Sequence, residues 1–346
     1  MPKDSKSKSE VSGIAAEILQ RRIKQENISL KAKLKDAMQA LEQCQFERDT
    51  AASVGKARQS ITPIKPREIK SGAREATWVA LASDWHVEEV VESEKVNGVN
   101  SYNLAIARKR VERYFSGVSW LVNYHAPAFK LRDGILWLGG DLITGYLREE
   151  NLEDNECSPV QAIAKLQSWI SDGIRHLLKT TQTDKLKVIC NSGNHGRLTY
   201  KVRPATREAN SIEWLLYHML AREFANEPRV DFQLPHGVHS YVDIYNWTVR
   251  FTHGDAAKYG GGVGGVMIPV RKALYRWNTV KHADWTNIGH FHQYTDLNDL
   301  TINGSLIGYN TFALEIGAGY EDPKQAFYLV DSKRGKTMPA SVWVKE

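Results

Sequence analysis

The sequence predicts an α/β domain. Three observations carry this. Five short apolar segments read as strands. Helical stretches fall between them. Each of the five ends in side chains able to hold a metal ion. The strand candidates are 77–83 (TWVALAS), 134–140 (GILWLGG), 186–192 (LKVICNS), 247–253 (WTVRFTH) and 285–290 (WTNIGH). The helices are predicted at 103–124, 158–179 and 208–225; in the first, Leu104, Ala107, Val111, Tyr114, Phe115 and Val118 recur at helical spacing. Strands apolar on both faces and alternating with helices imply sheets covered by helices. The segment from 308 to 332 (GYNTFALEIGAGY…QAFYLVDS) reads as further strands, placed in a second sheet packed on the first.

With 346 residues, 42% of them hydrophobic, the chain can bury a sizeable core and carry an appendage. The opening MPKDSKSKSEVSG is polar, with no apolar stretch behind it, so no signal peptide is expected. No apolar run is long enough to span a bilayer. Cys44, Cys157 and Cys190 are odd in number and far apart, with neither disulfide-framework nor zinc-ribbon spacing. A cytoplasmic, reducing location is the expectation.

The net charge of +6 lies ahead of the main domain. Residues 1–50 hold ten Lys/Arg against eight Asp/Glu, residues 51–76 six against two, and the remainder 30 of each. A basic stretch of this kind reads as a solvated linker or a nucleic-acid contact. Within 1–49, an unbroken helical pattern puts Ile23, Leu30, Ala37 and Cys44 seven apart, with Asn27, Leu34 and Leu41 as the second row. That is a short coiled-coil seam with a polar Asn at an a position, which favours a two-stranded register. A homodimer through residues 14–48 is one expectation; a helix docked on its own domain is the other. Pro63, Pro66, Gly55 and Gly72 mark 50–76 as linker, leaving 77–346 as the compact domain.

The strand ends are the informative part. The first delivers Asp84 and His86, the second Asp141, the third Asn194 and His195, the fourth His253, and the fifth His290 and His292. Carboxylates, one amide and several imidazoles suit Mn, Fe or Zn better than Ca or Mg, which take oxygen shells. The set exceeds what one tetrahedral ion needs and fits two ions bridged by a carboxylate. Two such ions clamp both oxygens of an in-line phosphoryl displacement. Taken singly, each motif is weak: a GD is usually a turn, and a GHxH pair can be a structural zinc site. The conjunction, in order and always at a strand end, is specific.

These motifs, Asp84-x-His86, Gly140-Asp141, Gly193-Asn194-His195, His253-Gly254 and Gly289-His290-x-His292, resemble the signature of the calcineurin-like metallophosphoesterases over about 77–330. The resemblance implies a two-sheet sandwich flanked by helices and two divalent transition-metal ions, Mn foremost. It implies Asp84, His86 and His292 on one ion, Asn194, His253 and His290 on the other, and Asp141 on both. A hydroxide between the ions would attack, with His195 as general acid. Two departures stand out. Gly196 follows the GNH motif, where many members carry Asp or Glu. Thr144 stands where the protein Ser/Thr phosphatases place the Asp that orients the catalytic His, so Glu149, Glu150 or Asp154 is the candidate orienting carboxylate.

Basic and aromatic residues follow the third and fourth motifs. Arg197, Lys201, Arg203, Arg207 and Lys258 are the candidate substrate contacts, with Tyr200 among them. Such a mixture suits phosphates carrying stackable bases. The expectation is a phosphodiesterase or nuclease on nucleic acid, similar to the family's DNA-repair nucleases. The alternatives are a phosphomonoesterase or nucleotide pyrophosphatase on small substrates, and an interaction protein with a degenerate phosphoesterase domain.

Overall fold

The computed structural model describes residues 74–345 apart from 148, 150 and 259–264, together with 64–65 and the helical positions 31, 33, 35 and 38. The heptad seam, the rest of the pairing segment 14–48, most of the 50–76 linker and most of the glycine run near 260 lie outside the described residues.

The strand β1 (Arg74–Ala82) alternates strictly. Trp78, Ala80 and Ala82 face one apolar cluster, while Val79 and Leu81 face another. This two-sided burial requires cover on both faces of its sheet. Strands β2 (Phe129–Leu138), β3 (Lys185–Cys190) and β4 (Val230–Gln233) follow in parallel beside it. The C-terminal strands β10 (Lys324–Asp331) and β11 (Gly335–Trp343) complete this six-stranded sheet in the order β11-β10-β1-β2-β3-β4. The tail was expected in the second sheet. It instead pairs antiparallel with β1, and Thr311–Glu315 is a short helix.

A second, five-stranded sheet has the order β5-β6-β7-β9-β8. It comprises β5 (Ser240–Ile244), β6 (Trp247–Thr252), β7 (Trp285–Ile288), β8 (Thr295–Leu297) and β9 (Leu300–Ile302). Val79, Leu81, Ile135, Trp137 and Ile189 of the first sheet pack on Val242, Val249, Phe251 and Trp285 of the second. That is a sandwich interior.

Helices close both outer faces. Helices α1 (Leu104–His125), α2 (Pro159–Thr180) and α3 (Ile212–Glu223) cover the first sheet. Helix α4 (Met267–Val280) covers the second through Val270 and Leu274. The starts are locally encoded. The Asn103 side chain caps α1, and Ser158 forms a reciprocal capping box with Gln161, with Pro159 at the first helical position of α2.

β1 begins three residues before the expected boundary. Among the described residues the linker holds an anchor: Ile64, 5% exposed, pairs with the β5 edge, donating to the Asp243 carbonyl and accepting from Tyr245 N–H. No helix among the described residues is long and apolar enough to cross a membrane.

Candidate metal centre

The five strand ends come from two different sheets, three from the first and two from the second. They converge where the two sheets meet. Three groups of ligand atoms form there, each within 4.8 Å: Asp84, His86 and His292; His86, Asp141 and His195; and Asp141, His253 and His290. Asp141 belongs to two groups and lies between the others.

The backbone pays for this convergence. Asp84, His86, Asp141, His290 and His292 all have left-handed φ, between 47° and 69°. Such conformations cost roughly 1–3 kcal/mol each in non-glycine residues and persist where surrounding structure over-determines them. Here the loops hold one another. Asp84 N–H donates to the Gly140 carbonyl, Trp85 and His86 N–H to the Asp141 carbonyl, and Gly289 N–H to the His253 carbonyl. Gly140 must be glycine: its φ is +87°, and a Cβ would lie 2.1 Å from Gly193 N. Gly289 lets the last loop reach Asp84, whose oxygens accept the His290 N–H at 2.9 and 3.0 Å.

Behind the ligands, partners fix each ring. His86 Nδ1 lies 3.1 Å from Thr144 Oγ1, which itself donates to Glu89 at 3.1 Å. The ring therefore carries its proton on Nδ1. His253 Nδ1 donates to the Gly139 carbonyl at 2.9 Å. In both cases Nδ1 is held by an oxygen and Nε2 is left facing the centre, the arrangement that orients metal-binding histidines; burial opposes a charge on His253, but the Asp141 carboxylate outweighs it and raises that ring to about 10. His86 Nε2, His253 Nε2 and Asn194 Oδ1 are buried and have no hydrogen-bond partner. Buried polar atoms are nearly always paired, so unpartnered nitrogens of His86 and His253 in the two groups that share Asp141 fit a metal site. His253 Nε2 does lie 2.9 Å from Asp141 Oδ2, but outside hydrogen-bonding geometry.

Charge follows the same logic. Burial, with His195 and His292 nearby, pushes His86 well below the usual imidazole range. Burial, with His253 nearby, lowers His290 to about 4. Both shifts favour the neutral ring, the form in which imidazole binds a metal. Burial opposes ionisation of Asp141, but the surrounding imidazoles, His253 foremost, outweigh it and hold its carboxyl well below its ordinary range.

His195 stands at the edge of the cluster, its ring centroid 4.8 Å from that of His86. Its backbone N–H donates to Asp141 Oδ1 at 2.7 Å, and its Nδ1 donates to the Thr144 carbonyl at 2.9 Å. The expected orienting carboxylate is corrected here. Neither Glu149 nor Asp154 holds His195 (Glu150 lies outside the described residues); a backbone carbonyl does, and it needs no acidic side chain at 144. Beside His195 opens a cavity of about 240 Å³, walled by Ile143, Tyr146, Leu147, Leu198 and Tyr200.

The basic residues divide. Arg207 is committed internally: it makes a two-pronged ion pair with Asp255, at 2.8 and 2.9 Å, and donates to the Ser192 carbonyl. Arg207, expected as a substrate contact, braces the third motif against the fourth. Arg197 donates to the carbonyls of Thr199 and Tyr200, shaping its own loop. Lys201, Arg203 and Lys258 are exposed.

Sequence reasoning missed the buried carboxylates behind the ligands. Glu88 accepts the N–H groups of Thr144 and Gly145, and burial raises its pKa to about 7. Glu213 accepts from Leu142 and Gly193. A signal for Glu213 existed. It lies on the buried face of α3 with Leu216, Tyr217 and Leu220, where an unpaired acid is out of place.

No family model and no curated protein matches the chain. Several solved structures are similar in fold at low scores. One is a hypothetical protein, PH1004, from Pyrococcus horikoshii OT3, with 14% identity over 78% of this chain and 88% of that one, at a TM-score of 0.37. Another is Vps29 from Entamoeba histolytica, with 11% identity over 76% and 97% and a TM-score of 0.30. A third is the sulfate thiohydrolase SoxB of Thermus thermophilus, with 8% identity over 80% and 57% and a TM-score of 0.30. Scores this low do not bear on the site, which stands on its own geometry.

Proposed function

We propose that this protein is a phosphoesterase dependent on two divalent transition-metal ions, and that it cleaves phosphodiesters in nucleic acid. The observation that carries the metal reading is the pair of ligand groups that meet at Asp141, one with His86 and His195 and one with His253 and His290, together with the buried, unpartnered His86 Nε2. Asp84, His86 and His292 would hold one ion, Asn194, His253 and His290 the other, and Asp141 both. Bound ions of this kind supply Lewis acidity toward a phosphate and activate water at neutral pH. Mn, Fe or Zn fits the mixed imidazole and carboxylate donors.

The chain's own residues do the rest. His195 presents Nε2 beside the cluster, because its Nδ1 proton is held by Thr144. In its doubly protonated form it donates the Nε2 proton to the departing alkoxide, or stabilises its charge. Lys201, Arg203 and Lys258 supply exposed positive charge along the mouth for a polyanion. The apolar cavity beside His195 favours a second reading, a small ester whose leaving group fills it.

The deciding assay compares bis-p-nitrophenyl phosphate with p-nitrophenyl phosphate in Mn²⁺, then single- and double-stranded DNA. Faster turnover of the diester together with DNA cleavage supports the nucleic-acid reading. Preference for the monoester with no DNA cleavage replaces it with the second. We further propose pairing of two chains through residues 14–48; light scattering of the full-length protein should give a dimer, and removal of residues 1–50 a monomer that keeps its metals.

A further inference from the structure

Glu213 is fully buried in the first turn of α3. One carboxylate oxygen accepts the Leu142 N–H at 2.8 Å, and the other accepts the Gly193 N–H at 2.8 Å. Leu142 directly follows Asp141, and Gly193 directly precedes Asn194 and His195. One carboxylate thus ties the loop bearing the shared acid to the loop bearing the amide and the imidazole. The two loops also meet at the Gly140–Gly193 approach, the His195 N–H bond to Asp141 and the His195 Nδ1 bond to the Thr144 carbonyl.

Gly196 is the other half of this arrangement. A Cβ at 196 would lie 2.8 Å from Glu213 Cγ, 3.1 Å from Glu213 Cδ and 3.0 Å from Ser211 Oγ. Gly196 is not among the residues with left-handed backbone, so conformation does not demand glycine there. Space does: the stem of Glu213 fills the place a side chain at 196 would take. The chemistry also demands a carboxylate. Two donors converge from two loops, and only a group with two acceptor oxygens satisfies both. A glutamine would satisfy one and turn its NH₂ against the other donor.

We infer that Glu213 is a positioning residue that sets the separation of the two central ligand loops, and that Gly196 is bare because Glu213 reaches in from α3. The inference rests on the metal reading of the site. It concerns a residue distant in sequence from every ligand motif, and it explains why the position after the GNH motif carries no acid: the acid arrives from another element.

The test is Mn²⁺ binding to the full-length protein by calorimetry, with circular dichroism and thermal unfolding in EDTA as controls of the fold. Glu213→Gln should weaken metal binding by roughly 10–100-fold, the usual range for an outer partner of metal ligands, while the spectrum stays native. Gly196→Ala should weaken it too, by pushing the Glu213 stem off its two N–H groups. In a Glu213→Gly background the same Gly196→Ala change should cost much less, since the Glu213 stem is gone and only Ser211 Oγ, at 3.0 Å, remains close. Gly196→Glu in a Glu213→Ala background should recover affinity, because a carboxylate is returned to the same space from the other side. Equal Mn²⁺ affinity in Glu213→Gln and wild type overturns the inference, as do independent, additive effects of the 196 and 213 changes. Should Glu213→Gln fail to fold, Gly196→Ala decides: unchanged affinity there overturns it. A wild-type protein that binds no ion shows instead that the metal reading itself is wrong, before any variant is made.

Discussion

Replacing Thr144 by valine separates two roles that meet in one residue. The side-chain hydroxyl accepts from His86 Nδ1 and donates to Glu89, whereas the backbone carbonyl accepts from His195 Nδ1. Valine keeps the shape and the carbonyl and removes only the hydroxyl. Thr144 is fully buried, so no water replaces the lost partner. His86 is left with an unpaired buried N–H, which costs about 1–3 kcal/mol and is relieved by turning the ring out of its ligand orientation. Glu89 keeps its bond from Asn310 at 2.7 Å and so contributes little to the loss. That range overlaps the roughly 10–100-fold usual for an outer-shell partner, or about 1.4–2.8 kcal/mol. Mn²⁺ titration should therefore show one site weakened by that factor. At saturating Mn²⁺, kcat on bis-p-nitrophenyl phosphate should stay near wild type, because the carbonyl still holds His195. Unchanged affinity would mean that His86 is not a ligand or that Thr144 does not orient it. A kcat loss at saturating metal as deep as that of a His195 variant would place the hydroxyl in the chemistry and refute the separation.

Other outcomes follow from the same geometry. Asp141→Asn should lose both ions together, since Asp141 joins the group holding His86 to the group holding His253 and His290; elemental analysis after Mn²⁺ reconstitution reads this directly. His195→Ala should keep its metals and lose about 10²–10⁴-fold in turnover, the range for a positioned acid. Gly140→Ala should lower thermal stability and metal content at once, because its Cβ would meet Gly193 backbone at 2.1 Å in a left-handed conformation. His239, packed edge-on against Trp277, is held at about 4 by burial and by the Arg250 charge. Its pKa is depressed in the folded state, so the unfolded chain takes up the proton first as pH falls. Stability should decline from about pH 6.5 towards pH 4 and level off below. Denaturation midpoints across that window should fall less steeply for His239→Phe.

The positions of the site residues show why the fold and part of the centre were legible and the rest was not. Strand β1 was readable because both of its faces are apolar, and α2 because Ser158, Pro159 and Gln161 encode its start within four residues. The short strands β4, β8 and β9 carry three or four residues each, too few for a period to register. The tail strand β10 was seen as a strand but assigned to the wrong sheet. Its local pattern says only that it is buried on both faces; the partner, β1, is more than 240 residues away in the chain.

By itself, the sequence determined the types of candidate donor and the glycines that let them meet, because donor chemistry and the freedom of a residue without Cβ are local properties. Five strand ends with Asp, Asn and His were enough to name Asp84, His86, Asp141, Asn194, His253, His290 and His292 as one candidate set. The tertiary structure alone decided what stands behind them. Which oxygen fixes the Nδ1 proton of His86, which carbonyl holds His195, and that Arg207 is spent on Asp255, all depend on contacts between distant segments. So does the carboxylate of Glu213, which reaches from α3 into the space above Gly196. Outer partners need only the right atom in the right place, from any residue and any element, so they leave no spacing for a sequence to display.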